Sequence, residues 1–123
     1  MTGQIAIAEI ERKQQDFIDA SLKIWEHPEP ANAEYLACDL HVKLLKDAGF
    51  DVEVGVGGLA TAIRATWGSG HPVIGFLGEY DALPMLSQKV QTTKEELVPG
   101  GWGQGCGHNA LGIGHLAACV GLK

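Results

Sequence analysis

Apolar residues recur at Ile10, Phe17, Ile18, Leu22 and Trp25, with Glu9, Glu11, Lys13 and Asp19 between them. That spacing predicts one amphipathic helix over about residues 5–25. The stretch 27–30 must end it, because proline and the residue before it resist helical geometry. A second helix is expected over about residues 32–48, with Tyr35, Leu36, Leu40, Leu44 and Leu45 on one face and Gly49 just past its end. The period then shortens to two. Phe50, Val52, Val54 and Val56 alternate with polar residues, the run "GVGG" reads as a turn, and "LATAIRATW" returns. Residues 50–67 are therefore expected to form a β-hairpin. The run "VIGFLG" (residues 73–78) is apolar throughout, the pattern of a strand covered on both faces.

Residues 80–108 show no periodicity, and a loop of that length in a small domain is usually functional. A last helix is expected after it, with Asn109 as its N-cap. Two helices, a hairpin, a buried strand and a C-terminal helix make an α/β layer fold with about three strands. In open α/β sheets, ligands bind beyond the carboxyl ends of strands. The polar clusters "GEYDALP" and "GWGQGCGHN" flank the loop at that end and are expected to meet there.

Composition narrows the function. The 123 residues form one domain at most. A net charge of −6 without a basic stripe argues against nucleic acid as a partner. No apolar run is long enough for a membrane span, and the opening residues lack the pattern of a secretory signal. Three cysteines at irregular spacing suit reduced thiols, and the expected location is the cytoplasm. The 17 glycines are roughly double the usual share and cluster at 55–58, 68–70, 100–107 and 112–114.

Within "GCGH", Cys106 and His108 offer a thiolate and an imidazole one glycine apart, a good pair for a borderline-soft divalent cation. Gly107 can take backbone angles that let both turn toward one point. A buried cysteine and a hydrogen-bonded histidine in a glycine loop would give the same residues. His115 is not a third ligand, because seven helical residues place it about 10 Å along the axis from His108. Glu79 and Asp81 could anchor a metal, orient a ligand histidine, or cap a turn. A papain-like reading fails because the expected second cysteine and tryptophan are absent and His108 lies too close in sequence. A redox pair and a phosphate loop fail for want of C-x-x-C and of a terminal Lys-Ser/Thr.

Taken together, "GFLGEYDALPMLSQ" and "GQGCGHNALGIGHLAA" resemble the metallo-amidohydrolases of the aminoacylase and carboxypeptidase type (peptidase family M-twenty). The resemblance points in particular to the branch of p-aminobenzoyl-glutamate hydrolase-like proteins. It runs over essentially the whole chain and implies the N-terminal portion of a zinc-peptidase-like catalytic domain, without the inserted dimerisation domain. The implied activity is hydrolysis of an amide bond in an N-acyl amino acid or dipeptide-like substrate. The implied cofactor is zinc or manganese, two ions in the complete enzyme, which itself is expected to be a homo-oligomer. By this resemblance Cys106 and His108 fall on metal ligands, and Asp81 with Glu79 on an orienting position. The general base and the remaining ligands are expected beyond Lys123, so no catalytic residue is assigned within the chain. The "KEE" at Lys94–Glu96 lies upstream and is not the paired glutamates of the family. Relatives often carry a histidine where this chain has Gln104. A rival reading is a non-catalytic remnant, or a binding protein that associates through an exposed sheet edge.

Overall fold

The computed structural model describes residues 3–123. Four helices and one hairpin follow one another: α1 (Gly3–Arg12), α2 (Gln14–Glu26), α3 (Tyr35–Asp47), β1 (Asp51–Val54), β2 (Ile63–Thr66) and α4 (His108–Leu122). The expected first helix is thus two. The break falls at Lys13, where neither proline nor glycine stands, and it lets α1 and α2 both lie along α4. The α2 face that meets the core is Phe17, Ala20 and Ile24, the last only 1% exposed. Ile18 and Leu22, expected on that face, are exposed. Ala20 completes the 17–20–24 spacing of the buried face in their place.

Helix α3 buries Ala37, Cys38, His41 and Leu45, while Leu40 and Leu44 pack partly buried on the same core. Tyr35, expected there too, is exposed. Gly49 does end the helix as expected, with φ +82°. Its N–H bonds the Lys46 carbonyl and the Phe50 N–H bonds that of Leu45, at 2.8 and 3.0 Å, so two orphan carbonyls of the last turn are satisfied. The start of α3 is capped from a distance. Both carboxylate oxygens of Glu29 accept backbone N–H groups, from Leu36 at 2.9 Å and Ala37 at 3.0 Å.

The hairpin pairs antiparallel from Asp51↔Thr66 to Val54↔Ile63, closed by a loop that contains a single 3-10 turn at Val56–Gly58. Phe50, Val52, Ile63 and Ala65 turn to the helical core, which Ile113, Leu116, Ala117 and Val120 of α4 complete. The result is a mixed α/β arrangement of helices on a two-stranded sheet. The expected buried strand at residues 73–78 is not among its elements. Val73, Ile74 and Leu77 are 79%, 65% and 86% exposed. An interior strand persists only where neighbours take up its N–H and C=O groups. Among the described residues no named strand pairs with this one. Among the described residues, also, no helix is long and apolar enough to cross a membrane.

Candidate metal centre

The site begins where α4 begins. Gly107 adopts the left-handed conformation (φ +72°) that turns the chain from Cys106 into the first helical residue, His108. Its carbonyl accepts the N–H groups of Ala110 and Leu111 at 3.0 Å each. Asn109 is therefore not the N-cap, because the glycine turn starts the helix earlier. The Asn109 amide instead crosses to α2, donating to the Ser21 carbonyl and hydroxyl oxygens at 3.3 and 3.2 Å. The capping role falls to Gln104, whose side-chain oxygen accepts the Asn109 backbone N–H at 3.1 Å.

Residues 78–82 run to this helix start. Tyr80 turns inward, with its ring centroid 4.8 Å from that of His41 and its hydroxyl donating to the Thr61 carbonyl. The residues on either side of it send their carboxylates the other way, as alternation along an extended segment requires. Asp81 Oδ1 lies 2.6 Å from His108 Nδ1, and Glu79 Oε2 lies 3.0 Å from His108 Nε2. The Ala82 N–H is fixed to the Glu29 carbonyl at 2.8 Å, and Leu83 pairs with Gly103. The two polar clusters of the sequence thus meet across 27 residues.

Glu79, Asp81 and His108 each offer one ligand atom, all within 4.8 Å of one another. Their side chains are 58%, 23% and 15% exposed, so the group opens to solvent on the Glu79 side. The positive end of the α4 dipole favours both carboxylates here. A neutral imidazole carries one N–H and one lone pair, so it can donate to only one carboxylate. The shorter contact assigns the N–H to Nδ1 and to Asp81. The Nε2 lone pair then faces an oxygen of Glu79, and a second proton or a cation between them resolves the opposition. The donor set and its spacing suit a divalent cation.

Cys106 is exposed, and its thiol is not one of the three converging atoms. Of the other cysteines, Cys38 is buried and Cys119 partly so, and burial pushes both thiols up. His115 stays apart from the group, beside Phe76 and Gly78.

A second polar set escaped the sequence reading. The buried Thr61 hydroxyl donates to the buried Glu34 carboxylate, and the Thr61 carbonyl receives the Tyr80 hydroxyl. His41, 4% exposed, contacts the Ala37 carbonyl through Nδ1 at 2.8 Å, while its Nε2 makes no hydrogen bond of ordinary geometry. Burial holds the His41 pKa below its usual value and pushes that of Tyr80 up. The available signal was its spacing, since His41 sits four residues from both Ala37 and Leu45. A separate cleft of about 920 Å³ runs between the end of α2 and the long loop, bounded by Leu22, Trp25, Trp102 and Gln104, and it includes none of the three converging residues.

No family model matches the chain. It is 42% identical, over 115 residues or 93% of its length, to a curated protein of Escherichia coli K12 whose name makes it a subunit of p-aminobenzoyl-glutamate hydrolase. The chain spans 24% of the length of that curated relative. The relative is of the kind to which the two sequence motifs point.

Proposed function

We propose that the chain is the N-terminal part of a metal-dependent hydrolase acting on amide bonds of N-acyl amino acids or dipeptide-like compounds, of the p-aminobenzoyl-glutamate type. The observation that carries this reading is the convergence of Glu79, Asp81 and His108 at the start of α4. Similarity to a relative named as a hydrolase supports it. His108 would bind the cation through Nε2, with the Cys106 thiolate brought round by the Gly107 turn as a second ligand. Asp81 holds the ring by its Nδ1–H, which fixes the tautomer and the direction of the free lone pair. Glu79, more exposed, faces the Nε2 lone pair from the open side, where a cation between them would relieve their opposition. A divalent cation, zinc or manganese, supplies there the acidity to activate a water and the charge to polarise a scissile carbonyl.

A zinc centre takes three or four protein ligands. The further ligands, a second ion and the general base are assigned to residues beyond Lys123, in a cytoplasmic protein that works as an assembly. The relative's own name describes a subunit. Residues 1–123 by themselves are then expected to hydrolyse neither p-aminobenzoyl-glutamate nor N-acetyl amino acids. The test is cobalt titration of the folded chain, followed by thiolate-to-metal absorption. Cys106→Ser should remove the band and Cys119→Ser should leave it. Asp81→Asn should weaken binding by about 10- to 100-fold. A band that survives Cys106→Ser and vanishes in Cys119→Ser sinks the assignment.

The exposed apolar residues at 73–77 favour a second reading, a non-catalytic protein that pairs through this segment. Leu77→Lys would then abolish self-association in sedimentation while leaving cobalt binding unchanged.

A further inference from the structure

Gly112 and His108 lie one turn apart on the same face of α4. The segment carrying Glu79 and Asp81 crosses the helix at Gly112. A Cβ placed on Gly112 would stand 2.5 Å from the Glu79 carbonyl oxygen and 2.9 Å from His41 Nε2. From the other side, a Cβ on Gly78 would stand 3.3 Å from the Gly112 Cα and 3.5 Å from His115 Nδ1. Backbone meets backbone here without a side chain between.

We infer that Gly112 is a positioning residue: its missing side chain sets the depth at which the 78–81 segment rests on α4, and so delivers Asp81 and Glu79 to His108. The lengths agree. Two residues of extended chain cover about 6.6 Å, and four residues of helix rise about 6 Å. A segment touching the helix at Glu79 beside Gly112 therefore brings Asp81 level with His108. Tyr80 holds the inner side of the same segment through His41 and the Thr61 carbonyl. An alanine at 112 must push Glu79 away from the helix, because a backbone carbonyl cannot rotate aside as a side-chain tip can. The Asp81–His108 contact at 2.6 Å then opens.

This inference rests on the metal reading of Glu79, Asp81 and His108, and its test separates the two. The 123-residue chain is prepared as wild type, Gly112→Ala, Gly78→Ala and Gly114→Ala. Gly114 is the internal control, two residues along the same helix with nothing within 4 Å of an added Cβ. Nitrogen-15 NMR of the imidazoles reads the His108 tautomer without metal, zinc calorimetry reads affinity, and far-ultraviolet circular dichroism reads helix content. The expected result is a His108 that loses its single Nδ1–H form in Gly112→Ala, and zinc affinity lower by about tenfold or more. Gly78→Ala should show a smaller change in the same direction, and Gly114→Ala none. A folded Gly112→Ala with wild-type tautomer and affinity overturns the inference. If Gly112→Ala does not fold, Gly78→Ala decides, and wild-type behaviour there overturns it. A wild-type chain that binds no zinc, with the tautomer still lost in Gly112→Ala, refutes the metal reading and leaves the positioning role standing.

Discussion

Two pairs of carboxylates stand before two helices, and they are used differently. Glu29 and Glu34 precede α3. The first spends both oxygens on backbone N–H groups of the opening turn, and the second is buried against the Thr61 hydroxyl. Glu79 and Asp81 precede α4. Their oxygens converge on the two nitrogens of one imidazole, and one of the pair stays largely in solvent. Backbone donors are fixed by the fold and cannot be exchanged for a ligand without unravelling a helix end. An imidazole lone pair is free to take up a proton or a cation. The partner, more than the acid itself, separates a carboxylate that builds the fold from one that is free to serve a site.

Removing Glu29 should give the largest separation. Glu29→Ala strips two charge-assisted hydrogen bonds from the first turn of α3, at a cost of about 2 kcal/mol. Urea unfolding should show the loss, while zinc affinity stays at the wild-type level. A drop in affinity as large as that of Asp81→Asn would erase the distinction between the pairs.

Acid should expose a second difference, through His41. Burial lowers its pKa in the folded chain below the usual 6.5, so folding favours the neutral ring. The unfolded chain therefore binds the proton first as pH falls. The contribution is intact above about 6.5 and is lost as pH drops below it and through the folded value. One proton gives a slope of at most about 1.4 kcal/mol per pH unit. Cys38 and Tyr80, in the same interior, stay protonated throughout, since burial raises both. Urea midpoints measured between pH 7.5 and 5.5 should fall for wild type and flatten for His41→Gln. Parallel curves for the two proteins would remove His41 from the account.

The extent to which these features could be read from the chain follows from how far apart their partners lie. Helix α3 and the hairpin announce themselves through local period, and Gly49 through a local stop signal. Asp81 and His108 were legible as polar clusters at the two ends of one long loop, although the strand at 73–78 from which their meeting was expected does not form. The Glu34–Thr61 and Tyr80–Thr61 bonds join residues 27 and 19 apart with no motif to mark them, and only the fold pairs them. Residues 73–78 failed for a different reason. An unbroken apolar run says that a segment needs cover on both faces, but not what supplies it. Asn109 failed as a cap because Gly107 turns the chain into α4 before Asn109 is reached.

Gln104 offers the smallest effect and the finest test of the comparison. It lies beside the candidate metal centre in sequence, yet its side-chain oxygen accepts a backbone N–H, as Glu29 does at α3. By its partner it belongs with the carboxylates that build the fold. Its other end is less well placed, since Nε2 is buried with no hydrogen-bond partner. Truncation to alanine removes a helix cap, which typically costs about 1 kcal/mol. It also removes an unpaired buried donor, which offsets part of that cost. Gln104→Ala should therefore lower stability by about 1 kcal/mol at most, visible as a small shift in urea midpoint, with zinc affinity unchanged. If affinity instead falls tenfold while stability holds, the cap is incidental. Gln104 would then be acting on His108 through the first turn of α4, and a backbone partner would no longer suffice to mark a residue as structural.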